Sequence, residues 1–343
     1  MGVRREIWPG TTGPSSGSPA RRPGSIRRTT TVDICRPDGA GGDLVLVGRG
    51  RDLVTPDLGD GPIEFGRART MVRIDYPGGR TVREVVVHES DLPVLRSAVA
   101  SLSGVRASSG FRSTLERAFG ELAAVGSLTV QLLDETPVAT LISGSALARR
   151  MVASAGATAP DVRRRLPPID VCTGWKDGGV MAVAAGNGRP MLGEGPPAPS
   201  LDRADDPGAW HALGELAPHD MRRRRRLDLS FDGGDIVIDG LFRDSIRESN
   251  GIETVVHEYG VTGLVDRADR LVRRLDVTPR VLPGPDCPGA VASAQRLVGR
   301  PVSSLRSAVT DEFSGPTTCT HLNDELRSLA DIPRLLEQLD HAG

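Results

Sequence analysis

The chain has 343 residues, 43 basic and 44 acidic side chains, and a formal net charge of −1. That length points to two domains or to one unit built twice, and the balanced charge argues against a dedicated nucleic-acid binder, which carries a basic excess. Aromatic residues at 3% leave few rings for base stacking, and four cysteines are too few for a disulfide framework. No apolar run approaches a membrane span, so the expected setting is a cytoplasm with reduced thiols, without nucleic-acid or membrane partners.

Residues 1–24 are rich in Gly, Pro, Ser and Arg and lack the apolar stretch of a signal peptide. They read as a disordered arm. From Ser25 the chain is written twice. Val32-Asp33-Ile34 falls over Leu227-Asp228-Leu229, and Gly42 to Gly48 falls over Gly234 to Gly240. Arg51-Asp52 falls over Arg243-Asp244. Each copy reads as a strand, a tight turn and a strand, followed by further strands. These are "ARTMVRIDYPGG" and "REVVVHES" in the first copy, "IETVVHEYG" and "RLVRRLDVTPRVL" in the second. Each then turns helical, with Leu102-Ser103-Gly104 over Leu297-Val298-Gly299. The expected fold is α+β: two tandem related halves at 25–150 and 218–343, each a small antiparallel sheet packed with helices.

Residues 151–217 belong to neither copy. They are Gly/Pro-dense yet contain Trp175 and Trp210, and disordered linkers avoid tryptophan. An ordered insertion that closes over one copy is expected, with Trp175, Trp210 and His211 as its substrate-facing residues.

The second copy opens on five consecutive arginines, Arg222 to Arg226. Alternation along a strand puts Met221, Arg223, Arg225, Leu227 and Leu229 on one face. Three readings of the run stay open: a salt-bridged solvated edge, a clamp for a carboxylate or phosphate through Arg223 and Arg225, and a nucleic-acid grip. At the C-terminus, Leu322, Leu326, Leu329, Ile332, Leu336 and Leu339 recur at helical steps, with Pro333 as a kink or restart. Cys287 precedes Pro288, which suits a helix start. Cys319 and His321 precede the last helical stretch. Thiolates are favoured at helix N-termini, and two thiols with an imidazole suit zinc or iron. His219 and Asp220 are candidates for a further ligand or a general base. The competing reading makes the cysteines small buried hydrophobes. Cys172 is as readily a bystander as a participant.

"GSIRRTTTVDICRPDG", "HDMRRRRRLDL" and "CTHLNDELRSLAD" resemble a bacterial family, domain of unknown function 2889, which brings no assigned activity. More distantly, residues 218–340 resemble the scaffold proteins of iron–sulfur cluster assembly. Asp220-Met221, "CPGAVASAQRLVGRP" and "CTHL" stand where those proteins carry their strand-leading motif, a cysteine-led helix and a final ligand pair. His219 replaces a cysteine there, Arg300 follows Gly299, and the order of the final pair is changed. The resemblance implies a metal site where strand and helix ends meet, and raises the standing of Cys287, Cys319 and His321 as its ligands.

The leading expectation is therefore a metal-dependent enzyme acting on a small metabolite, expected to be anionic. Its metal would sit on Cys287, Cys319 and His321, with His219 or Asp220 handling protons and Arg223 and Arg225 orienting the substrate. The rivals are a metal or iron–sulfur carrier without catalysis of its own, and a metal-free small-molecule binding module. Homo-oligomerisation is compatible with each.

Overall fold

The computed structural model describes residues 8–58, 61–93, 96–108, 110–120, 126–153, 166–189, 191 and 194–342. Two four-stranded meanders organise it. The first is β1 (Ser25–Cys35), β2 (Leu44–Thr55), β3 (Ile63–Asp75) and β4 (Thr81–Glu89). Helices α1 (Arg96–Ala100), α2 (Phe111–Phe119), α3 (Leu128–Asp134) and α4 (Thr136–Ala153) follow, then α5 (Val180–Gly186). The second meander is β5 (Met221–Asp232), β6 (Asp235–Arg247), β7 (Glu253–Asp266) and β8 (Val272–Val281). It leads into a 3-10 segment, Cys287–Leu297, and helices α6 (Leu305–Glu312), α7 (Thr320–Ser328) and α8 (Ile332–Ala342). Pro333 sits in the first turn of α8, after a short 3-10 break at Leu329–Asp331, so it restarts the helix.

The fold is α+β, but the two strand groups are not separate small sheets. All eight strands form one antiparallel sheet in the order β4-β3-β2-β1-β5-β6-β7-β8. β1 and β5 pair continuously from Ile26↔Leu229 to Ile34↔Met221. Two four-stranded sheets would each leave this edge ladder unpaired, and joining them satisfies both rows of N–H and C=O groups.

Alternation gives the sheet two faces. The helices cover one. Gly48 and Gly240 let them approach: a Cβ on Gly48 would press on Leu132 of α3, and one on Gly240 would lie 2.9 Å from Glu325 of α7. The packing crosses the seam, because α8 lies on β1 and β2 while α4 lies on β1, β2 and β5. Apolar side chains accordingly form two large clusters that draw on both meanders. One centres on Phe242, Tyr259 and Leu322 and takes in Ile26 and Val54. The other centres on Phe111, Leu128 and Leu132 and takes in Met221 and Ile246.

Between the clusters lies a buried ionic network. Arg28 grips Asp52 with two bonds of 2.7 Å and reaches Asp331 at 3.1 Å. Arg223 grips Asp244 at 3.0 and 3.1 Å and reaches Glu135 at 2.6 Å and Asp324 at 2.8 Å. Arg225 meets Glu325 at 2.6 Å and Glu135 at 2.5 Å. The arginine run is thus neither an exposed edge nor a nucleic-acid grip. All five guanidinium-bearing residues are buried in an interior strand. Those on the helix face are matched by carboxylates, which is what permits a charge to be buried at all.

The opposite face is covered by irregular chain. Residues 8–24, expected to be disordered, lie across it. Ser15 N donates to Glu258, Arg243 donates to the carbonyls of Ser15 and Pro199, and Arg27 donates to that of Pro19. Residues 194–217 lie beside them, tied by Pro196 and Ala198 to β7. Trp210 packs with Leu201, Ala209 and Leu241, and its indole donates to Ser18 Oγ and Leu201 O. Irregular chain can lie here because buried arginine side chains and the indole satisfy its carbonyls.

Candidate functional site

Three segments meet where the C-terminal helices reach the sheet. Cys319 is the N-cap of α7, in extended conformation, and its Sγ lies 3.8 Å from His321 Nδ1. Cys287 opens the 3-10 segment, with Asp286 rather than Cys287 as the cap and Pro288 in the first turn. The third segment comes from the insertion. Thr173 donates to Thr318 O through both its amide and its hydroxyl, and this carries Cys172 and Trp175 in. Gly174 lies directly against Cys287 Sγ, so that any Cβ at this position would collide with the sulfur.

The result is a cavity of about 60 Å³ lined by Cys172, Cys287, Cys319, His257, His321, Trp175, Met181 and Met191, closed by Leu141 and Ile142 of α4. Its donors are almost all soft: three thiols, two thioethers and two imidazoles. Burial governs their protonation. The Cys172 thiol is pushed up to about 11 by burial, with Cys319 adding to it. Burial also raises Cys319, and raises the nearby Tyr259 phenol well above its ordinary range. His321 is held down to about 3, first by burial and then by Arg223. At neutral pH the Cys172 and Cys319 thiols and the His321 imidazole are therefore neutral.

His257 stands on β7 opposite Asp244 of β6. Its ring stacks on His321 with centroids 3.6 Å apart and an interplanar angle of 17°, and His321 Nε2 is 3.7 Å from Asp244 Oδ2. The donor atoms of Asp244, His257 and His321 all lie within 4.8 Å of one another. Imidazole lone pairs lie in the ring plane, however, so two nearly parallel stacked rings do not aim at a common point. Both Asp244 oxygens are also engaged by Arg223. An ion here would need one ring to turn.

The expected ligands are thus gathered but not converged. Cys287, Cys319 and His321 line one cavity, yet among the described residues no cysteine belongs to a set of three donors mutually within 4.8 Å. The guanidinium groups of Arg223 and Arg225, expected to orient a substrate, are held by protein carboxylates. Trp175 lines the cavity, but Trp210 and His211 lie on the other face of the sheet, His211 bonding Thr29 and Thr31 at 2.9 Å each. His219 and Asp220 border a different cavity with Cys35 and Arg150. His219 there adopts φ 71°, while its amide donates to Arg247 O and Asp220 O accepts from Arg247 N. They close the strand end beside Cys35 and do not line the cavity of Cys287 and Cys319.

Sequence reasoning missed His257 and the participation of Cys172. The signal for His257 was available: in "HEYGV" period-two alternation puts His257, Tyr259 and Val261 on one face. Cys172 offered none, because it lies in a Gly-rich segment without periodicity.

Residues 221–334 match the family model described as "Protein of unknown function (DUF2889)", which supports the expected relation to that family. The matched stretch runs from the first residue of β5 into α8, and includes Asp244, His257, Cys287, Cys319 and His321. No curated protein and no solved structure matches the chain.

Proposed function

We propose that this chain is a metal-binding protein that holds one zinc or iron ion in its sulfur-lined cavity and serves as a carrier or closed site. The observation that carries the reading is the gathering of three of the four cysteines and two of the six histidines around about 60 Å³. That volume suits an ion with one or two small ligands, since a water needs roughly 10–15 Å³ by this measure. With Cys172 included, five thiol and imidazole donors surround it, more than a tetrahedral ion uses, which favours a closed shell over an open catalytic position. A neutral imidazole is ready to ligate, whereas the raised thiols must release protons on binding.

The enzyme reading, a metal-dependent reaction on a small anionic metabolite, is favoured by one observation. The His257–His321 stack beside Asp244 is a set of proton-handling groups that a storage site does not need. It requires a substrate-holding cation other than Arg223 or Arg225.

We also read the two meanders as a tandem duplication. The sequence alignment sets Thr30 over Arg225, and these two are partners across the seam, as a residue pair on a pseudo-twofold axis would be. Arg80 and Arg270 both have positive φ, 61° and 60°. Gly104 N bonds Val82 O as Gly299 N bonds Val272 O, and Ala107 N bonds Arg80 O as Val302 N bonds Arg270 O. On this reading Ser127, N-cap of α3, stands for Cys319. Asp91 accepts four hydrogen bonds at that helix start, so the first copy has a capping carboxylate where the second has sulfur.

Anaerobic purification followed by elemental analysis tests the metal reading. One ion per chain is expected in the wild type and little in Cys319→Ser or His321→Ala, with circular dichroism checking that both variants fold. A metal-free wild type after anaerobic growth in zinc- and iron-supplemented medium refutes it. Cobalt substitution separates the two roles: a spectrum unmoved by azide indicates the closed site, and one that shifts indicates an open position.

A further inference from the structure

We infer that the other face of the sheet carries a second site, a receptor for a small molecule bearing a dianionic oxyanion group, either a phosphate monoester or a dicarboxylate. It is independent of the metal reading, because its residues lie across the sheet from the sulfur cavity.

The site is built from cross-strand pairs of like charge. Arg49 of β2 stands opposite Arg69 of β3, and Arg51 opposite Arg67. Together with His211 and Glu89 they line an open cavity of about 260 Å³. Like charges directly opposite on a sheet repel, and the protein supplies too few carboxylates to offset them here. Arg49 reaches Asp33 at 2.8 Å, but Asp33 is already gripped by Arg222 through two bonds of 2.6 and 3.0 Å. Arg67 is paired with Glu64 at the exposed rim, and Glu89 is the cross-strand neighbour of Arg69. Arg51 donates to the Gly208 carbonyl. Its Nε is buried without a hydrogen-bond partner, and no carboxylate lies within ion-pair distance of it among the described residues.

The contrast with the rest of the sheet is what points to a ligand. Arg28, Arg223, Arg225, Arg226 and Arg243 are each bound to at least one carboxylate at 3.1 Å or less. Arg224 is held less closely, 3.5 Å from Glu253, and at Arg51 no ion pair remains among the described residues. His211 reports the same surplus: after burial, the groups that hold it neutral are Arg51, Arg49, Arg222 and Arg224. Guanidinium groups arrayed on facing strands present paired N–H donors to a planar or tetrahedral oxyanion.

The test is isothermal titration calorimetry of the full chain with inorganic phosphate and with malonate, at ionic strength held constant with chloride. Saturable binding of at least one is expected. It should weaken roughly tenfold in Arg51→Gln and in Arg69→Gln, as loss of one charge-assisted contact requires. Arg274→Gln, whose arginine pairs with Asp276 on β8, should bind as wild type. Tighter phosphate than malonate assigns the phosphate-bearing class, and the reverse assigns the dicarboxylate. The inference is overturned if neither anion binds above the chloride background, or if Arg69→Gln, a rim change that leaves the buried network intact, binds as tightly as wild type.

Discussion

Replacing Arg223 by Met removes a buried cation and leaves a side chain of similar length. Three carboxylates lose a partner, but not equally. Asp324 keeps Arg327 at 2.6 Å and Arg112 at 3.0 Å, and Glu135 keeps Arg225 at 2.5 Å. Asp244, fully buried, keeps the neutral His321 at 3.7 Å and His257 as its cross-strand neighbour, and among the described residues no second guanidinium pairs with it. The cost is therefore that of one uncompensated buried carboxylate, about 3–5 kcal/mol. In a chain of this size it should appear as a fall of roughly 4–7 °C in Tm, at about 1.4 °C per kcal/mol. The double variant Arg223→Met, Asp244→Leu removes the stranded charge as well, and should return to within about 1–2 kcal/mol of wild type. Urea unfolding followed by circular dichroism measures the wild type, the double variant and both single variants, Arg223→Met and Asp244→Leu. A single variant within about 1 kcal/mol of wild type, or a double variant less stable than the sum of its parts, would refute the argument that Arg223 is held by its own protein rather than kept for a substrate.

Gly240→Ala should destabilise by about 1–3 kcal/mol, because the new methyl would meet Glu325 Oε1 while Arg225 holds that carboxylate in place. Gly234→Ala, which meets nothing within 4 Å, is the matching neutral control in the same denaturation series. His211 is held down to about 3, below its ordinary value of about 6.5. The unfolded chain therefore takes up that proton first, and stability falls as pH drops from about 6.5 towards 3, by at most about 1.4 kcal/mol per pH unit. His211→Gln should lose this component of the slope between pH 6 and 4, and curves parallel to wild type would contradict it. Trp210→Phe forfeits the indole N–H that is shared between Ser18 Oγ and Leu201 O, roughly 0.5–1.5 kcal/mol. Limited proteolysis should then cut within residues 8–24 faster than in wild type.

Strand positions were legible because their signal is local. Alternating Val, Ile and Thr with glycine turns marked all eight strands, and leucine spacing marked the C-terminal helices, Pro333 included. Alternation also sorted Arg223 and Arg225 to the face with Leu227 and Leu229, where they lie. It could not say what those guanidinium groups would meet, because Glu135, Asp324 and Glu325 are about 90 to 100 residues away in sequence, the first at a helix C-cap and the others on a helix. The arm at 8–24 looked disordered by composition. Its order comes from Arg27, Arg243 and Trp210, whose reach onto its backbone no local pattern records.

By itself, the sequence determined the α+β class, the paired meanders and the concentration of thiol and imidazole chemistry in the C-terminal half, since periodicity and residue type are properties of neighbours along the chain. Only the tertiary structure decided that the meanders join as one sheet, that Cys172 and His257 enter the cavity, and that Arg28, Arg223 and Arg225 meet carboxylates while Arg51 meets none within ion-pair distance among the described residues. Those outcomes depend on which distant backbone edges and charges must be satisfied together, and burial sets that requirement only once the chain has closed on itself.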